Sequence, residues 1–321
     1  MKLSKIKTQG VHKKNVHKGR YNFDELTKSE PELKKRLTKN PKGETTINFS
    51  DSHSVMLLNR ALLKHFYGIN GWQIPKDYLC PPIPSRADYV HRLHALLLSD
   101  GLKVGEPAKA IDIGTGANAV YALIGASTYD WNVVASDISQ ASISNVNSIL
   151  AHNPKLKTKI TPFLQSDSKL LFNGVISPDT RYDVTLCNPP FHASKEEAVK
   201  GTTRKVHNLS QNKGKADQSV KKQAPTLNFG GQHNELWCQG GEYGFVSRMI
   251  KESGDYRDQV LWFTCLISKG DNVRPLRKLI EKQGAEELRV IQMEHGNKVS
   301  RFIAWTYQNS DARKHWFLAA N

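Results

Sequence analysis

In 110-AIDIGTGANAVYAL-123 a short apolar strand carrying one acid, Asp112, passes through Gly114 and Gly116 directly into an apolar helical run. Glycines at that point permit a tight turn and let backbone amides approach a ligand with no Cβ in the way. A strand that turns through glycines into a helix is the opening unit of an alternating βα sheet, so this stretch sets the fold of what surrounds it.

Downstream the alternation continues. The segment 131-WNVVASD-137 reads as a second strand and 139-SQASISNVNSILAHN-153 as a helix ended by Asn-Pro. Strands three and four follow at 159-KITPFLQ-165 and 182-YDVTLC-187, then a helix at 243-YGFVSRMIKESG-254 and a fifth strand at 259-QVLWFTCLIS-268. A helix at 272-NVRPLRKLIEKQG-284 leads to a closing pair, 287-ELRVIQME-294 and 300-SRFIAWTYQ-308. This order predicts an α/β fold of the class I, Rossmann-like kind: a mostly parallel seven-stranded sheet with helices on both faces.

Upstream, 51-DSHSVMLLNRALLKHFY-67 opens on a capping Asp or Ser and places Val55, Leu58, Leu62 and Phe66 on one helical face. The proline-rich 75-PKDYLCPPIPSR-86 reads as a stiff connector, 88-DYVHRLHALLLSD-100 as a second helix, and 30-EPELKKRLTKN-40 as a helical piece closed by Asn40-Pro41. The expected organisation is a basic arm at 1–45, a helical extension at 46–100, and a principal domain at 101–321 carrying a polar insertion within 192–241.

The chain has 46 Lys/Arg against 30 Asp/Glu, a formal charge of +16. Residues 1–45 hold 13 basic and 5 acidic residues, and residues 195–222 hold 8 and 3, so the two segments together carry 13 of the 16 excess charges. Basic charge confined to two segments suits a polyanion such as nucleic acid. The start, MKLSKIKTQGVHKK, lacks the apolar core of a secretion signal, and no run reaches the roughly 18 apolar residues of a membrane span. A cytoplasmic protein with no membrane contact is expected. Cys80, Cys187, Cys238 and Cys265 are far apart, without C-x-x-C spacing, which argues for free thiols and no metal.

The loop GTGANA also satisfies the loose dinucleotide pattern G-x-G-x-x-A, and Asp137, 21 residues after Gly116, could accept both hydroxyls of an adenosine ribose. Both features fit NAD and S-adenosylmethionine alike. Two others separate them. The Asp112 carboxylate lies where a pyrophosphate would sit and suits an ammonium or sulfonium better. The second is 185-TLCNPPFHAS-194, where two prolines halt the fourth strand and expose an amide, backbone carbonyls and an aromatic ring. If the Asn188 side-chain oxygen and the Pro189 carbonyl each accept an N–H from an exocyclic amine, its nitrogen lone pair is turned toward a donor methyl. Pro190 keeps the turn rigid, and Phe191 would stack on the base. Such a base must first be unstacked.

With those residues in view the chain resembles the bacterial large-subunit ribosomal RNA adenine-N6 methyltransferase F family, relatives of the human methyltransferase-like protein 16. The matching segments are H-x-x-N-x-H-x-x-RY (12–21), LCPPIPSRADYVH (79–91), IDIGTGAN (111–118), TLCNPPFH (185–192), LNFGGQ and ELWCQGGE (227–242), and SRFIAWT (300–306). The resemblance implies S-adenosylmethionine as donor, no metal, and one adenine of 23S rRNA, free or in a large-subunit precursor, as acceptor. It implies that Arg86 contacts the methionine carboxylate, that Asp112, Gly114, Gly116 and Asn118 line the donor pocket, and that Asp137 holds the ribose. Gln165, Ser166 and Ser168 are the choices for the adenine contact after strand three. His12, Lys13, Lys14, His17, Arg20 and Tyr21 in the arm, with Arg204 and Lys205 in the insertion, would meet RNA. Competing expectations are guanine-N2 methylation, methylation of a glutamine amide in a protein factor, and an RNA-binding assembly factor with a vestigial donor pocket.

Overall fold

A computed structural model describes residues 1–8, 10–194, 197, 233–295 and 298–318. From the N-terminus come β1 (Lys2–Ile6), α1 (Phe23–Ser29), a 3-10 turn at Pro31–Arg36, β2 (Leu37–Lys39), β3 (Thr45–Ile47), α2 (Ser52–Tyr67) and α3 (Ile83–Ser99). Then follow β4 (Lys109–Ile113), α4 (Val120–Tyr129), β5 (Asn132–Asp137), α5 (Gln140–Ala151), α6 (Pro154–Lys157), β6 (Ile160–Leu164) and β7 (Tyr182–Cys187). The chain closes with α7 (His233–Leu236), α8 (Gly241–Ser253), β8 (Val260–Ile267), α9 (Val273–Lys282), β9 (Glu287–His295), β10 (Lys298–Thr306) and α10 (Ser310–Trp316).

Eight of these strands form one sheet in the order β1-β9-β10-β8-β7-β4-β5-β6. From β8 through β7, β4 and β5 to β6 the strands run parallel, while β10 is antiparallel to both β8 and β9. Every residue of β8 is buried, as its unbroken apolar sequence VLWFTCLI demands of a strand covered on both faces. One core joins α2, α3, α4 and α5 to one side of the sheet, and a second joins α8 and α9 to the other. Among the described residues no helix is long and apolar enough to cross a membrane.

The helix from Ser52 starts where expected, with the Asp51 carboxylate accepting from Ser54 N–H and Gly68 closing it in the left-handed conformation. Of its anticipated face Val55, Leu58 and Leu62 are buried, whereas Phe66 stays 36% exposed. The second helix starts at Ile83, five residues before the expected position. Pro84 sits in its first turn, where no amide hydrogen is needed, so the last part of the proline-rich connector begins the helix rather than preceding it.

The N-terminal segment differs most from the sequence reading. Instead of a loose arm with one helical piece, residues 1–45 contribute β1, an eighth strand beyond the seven anticipated, paired parallel to β9. Its five residues, KLSKI, are too short and too polar to give a strand signal, as befits an edge position. Leu26 and Leu33 enter the core, and 30–40 splits into a 3-10 turn and β2. The buried Asp88 carboxylate accepts from the His12 amide and pairs with Arg92 at 2.6 Å, while Arg92 donates to the Gly10 carbonyl at 2.9 Å. Asn15 Nδ2 donates to the Pro84 carbonyl at 3.0 Å. A few polar residues thus lash the segment to α3 while most of its charges face outward.

Candidate active site

The ends of β4, β5 and β7 meet at one edge of the sheet, and β4 lies where connections leave in opposite directions, the position at which open α/β sheets bind ligands. The hairpin after β4 takes Gly114 to φ 70° and Gly116 to φ 64°, conformations that explain both glycines. Amides of Gly114 and Thr115 both donate to the Ser136 carbonyl at 2.9 Å, and Gly116 N–H donates to Asp137 Oδ2 at 2.9 Å. The other Asp137 oxygen accepts from the Ser139 amide at 2.8 Å. Burial is the main cause of the raised Asp137 pKa, opposed by those backbone amides. Asn118 stands where many glycine loops carry a third glycine; its side-chain oxygen accepts from Val120 N–H at 3.1 Å and so helps start α4.

Sequence reading missed the supports behind the hairpin. The Trp72 indole, 2% exposed, donates to the Asn118 carbonyl at 2.9 Å, and Asn145 Nδ2 donates to the carbonyls of Ala117 at 2.7 Å and Gln73 at 2.9 Å. The helical extension therefore holds the hairpin from outside. A lone tryptophan in a loop gave no signal of this.

A cleft opens beside the hairpin. It is lined by Arg86, Gly114, Gly116, Asn118, Asp137, Gln165, Ser168, Asn188 and Pro190, drawing together residues that span more than 100 positions. Ser166 is exposed and does not line it. Gln165 holds the loop after β6 by donating to the Asn173 carbonyl at 2.8 Å. Tyr121, Glu235, Ile138 and Phe245 also line the cleft and were not anticipated. Arg86 lies over the Tyr121 ring, 5.7 Å from its centroid.

Asp112 is wholly buried just behind the wall rather than part of it. Its Oδ2 accepts from the Thr115 hydroxyl at 2.8 Å, and its Oδ1 has no hydrogen-bond partner. Burial, reinforced by the nearby Asp137 and opposed by the Thr115 hydroxyl and the Ala122 amide, lifts its pKa from 3.8 to about 7. Tyr121 Oη and Asn188 Oδ1 are likewise buried without partners. Tyr121 and Asn188 line the cleft, and two unanswered polar atoms there are costly unless a ligand answers them. Two left-handed glycines, an acid at the end of β5 and an acid behind the hairpin fit S-adenosylmethionine, with its ribose, ammonium and sulfonium.

The turn Asn188–Phe191 leaves β7 beside the hairpin. Pro189 and Pro190 are buried and Phe191 is half-buried. Immediately after it His192 pairs with Trp237: His192 N–H donates to the Leu236 carbonyl and Cys238 N–H to the His192 carbonyl, each at 3.1 Å. The segment ELWCQGGE is thereby registered on the turn. Its buried Glu242 carboxylate gathers Ser268, the Lys269 amide and Asn272, fixing the loop after β8.

Of the residues expected against RNA, Lys13, Lys14 and Arg20 face solvent, Arg20 paired with Glu44 at 2.6 Å. His12 is partly buried and stacks on His91. His17 points inward, 7% exposed, bonded to the hydroxyls of Tyr67 at 2.8 Å and Tyr21 at 3.1 Å. Burial lowers its pKa to about 4, so at neutral pH it is an uncharged packing residue rather than a phosphate contact. The insertion 195–222, with Arg204 and Lys205, lies outside the described residues apart from Glu197, as does 227–232. Among the described residues no group of three or more His, Cys, Asp and Glu is arranged to hold a metal ion.

The sheet order and the glycine hairpin define a class I S-adenosylmethionine-dependent methyltransferase. Residues 5–309 match the family described as RNA methyltransferase. The ribosomal RNA large subunit methyltransferase F of Vibrio parahaemolyticus is 49% identical over 97% of this chain and 85% of its own length, and that of Shewanella loihica is 46% identical over 97% and 82%. The human METTL16 catalytic domain in complex with MAT2A 3'UTR hairpin 1 superposes with a TM-score of 0.77 at 26% identity, covering 94% of this chain and 96% of that one. The N-terminal domain of human METTL16 in complex with SAH gives 0.73 at 23% identity, with 94% and 100% covered. The chain belongs to the RNA methyltransferase family, among the large-subunit ribosomal RNA methyltransferases F.

Proposed function

We propose that this enzyme methylates the exocyclic N6 of one adenine in 23S rRNA, acting in the cytoplasm on that RNA or on a large-subunit precursor. The observation that carries the reading is the buried, unpartnered Oδ1 of Asn188 on the wall of the donor cleft. S-adenosylmethionine, when bound, supplies a methyl group activated by its sulfonium.

The chain's own residues do the rest. Arg86 takes the methionine carboxylate, Asp137 the ribose hydroxyls, and Gln165 and Ser168 flank the adenine end of the donor. Gly114, Gly116 and Asn118 set the backbone along which the donor lies, while Asp112 balances its positive charge from behind. Asn188 Oδ1 and the Pro189 carbonyl each accept an N–H of the target amine, which turns the nitrogen lone pair toward the cleft. Orientation is the main contribution, since an aromatic amine becomes strongly acidic once alkylated and can release its proton to water. Phe191 stacks on the base, a contact worth roughly 1–3 kcal/mol. Lys13, Lys14 and Arg20 meet backbone phosphates.

Incubation with labelled donor and unmodified 23S rRNA, followed by nucleoside analysis, tests the reading. Label is expected in N6-methyladenosine and lost in Asn188→Ala; label in N2-methylguanosine, or none, would overturn it.

A further inference from the structure

Among the described residues that line the cleft, the charged side chains are Arg86, Asp137 and Glu235. Arg86 is assigned above to the donor carboxylate and Asp137 to the ribose, which leaves Glu235 without a role. Its position is tightly set. Oε2 accepts from the Leu79 amide at 3.0 Å, and a methyl group built on Gly116 would lie 3.4 Å from Oε1. Two positions later, Trp237 is bridged to His192, so the backbone that carries Glu235 is registered on the acceptor turn. A carboxylate is thus held in the cleft wall close to Gly116 of the hairpin.

We infer that Glu235 is a specificity-determining residue that makes the cleft prefer the cationic donor over its neutral product. The inference rests on the donor reading given above. S-adenosylmethionine and S-adenosylhomocysteine share adenosine, carboxylate and ammonium; they differ in a methyl group and one positive charge on sulfur. Contacts to the shared groups cannot separate them, whereas a fixed anion in a half-buried cleft acts on the charge that differs. Attraction to that charge ends when the methyl group leaves, which favours exchange of spent for fresh donor.

The test is isothermal titration of S-adenosylmethionine, S-adenosylhomocysteine and sinefungin, whose protonated amine replaces the sulfonium. Wild type and Glu235→Gln are compared. Glutamine keeps an acceptor for Leu79 N–H and removes the charge. Affinity for S-adenosylmethionine and sinefungin is expected to fall roughly tenfold, with S-adenosylhomocysteine changed less than about twofold. Glu235→Asp, which keeps the charge, should retain the wild-type ratio even if every affinity drops. Equal weakening of all three ligands, or none, would reduce Glu235 to a structural tether and overturn the inference. Failure of wild type to bind any of the three would instead bring down the donor reading, and this inference with it.

Discussion

Replacing Asp112 by Asn should stabilise the ligand-free protein at alkaline pH while impairing donor binding. In the fold the carboxyl is wholly buried, one oxygen is unpartnered, and its pKa rises from 3.8 to about 7. The folded state therefore holds a proton that the unfolded chain would release. The sign follows: the cost is absent below the unfolded value, grows as pH climbs between the two values, and is complete above the folded one. Its full size is about 4 kcal/mol, and about 2.5 kcal/mol of that develops between pH 5 and pH 8. Asparagine carries none of this pH dependence. It still offers an oxygen to the Thr115 hydroxyl, but leaves an amide N–H₂ at the unpartnered position, a penalty of about 1–3 kcal/mol that is the same at both pH values. Urea unfolding of both proteins at pH 5 and pH 8 isolates the effect. Asp112→Asn should gain about 2.5 kcal/mol relative to wild type on going from pH 5 to pH 8. A relative stability that does not move with pH would refute the claim that burial outweighs the hydrogen bonds offered to Asp112.

Further outcomes follow from the same geometry. Asn188→Ala should lower kcat at least about a hundredfold, with donor affinity and melting temperature nearly unchanged, because the lost contact orients the acceptor alone; equal loss of donor binding in titration would contradict this. Trp72→Phe removes the indole donor behind Asn118 and should weaken donor binding about tenfold in the same titration, beyond its effect on stability. Combined Lys13→Glu and Lys14→Glu should weaken RNA binding and flatten its dependence on salt by about two in logarithmic slope, while leaving donor affinity intact. Acidification to about pH 4 should loosen the N-terminal segment as His17 gains a proton, seen as new protease sensitivity; unchanged digestion between pH 7 and pH 4 would count against its buried, neutral state.

Much of the sheet was legible because its signals are local. Most of the parallel strands from β4 to β8 are compact apolar runs, and Gly114 and Gly116 announce their turn by residue type. The N-terminal segment was not legible in the same way. Its place is decided by Asp88, Arg92 and Asn15, polar residues whose partners lie 70 to 80 positions away or more, and by an edge strand whose partner is at the other end of the chain. Histidines at exposed-looking spacings gave no hint that His17 would turn inward between two tyrosines. In the site, motif residues were visible one by one, but Trp72 and Glu235 enter it only through tertiary contacts that no short window contains.

The most direct measurement is a crystal structure with sinefungin and adenosine bound. The account predicts that the charged amine of the ligand faces Asn188 Oδ1, and that the adenosine N6 is held by Asn188 and the Pro189 carbonyl within about 3–3.5 Å of where the methyl carbon would stand. A donor whose reactive end points away from Asn188, or an adenine bound by other groups, would contradict it.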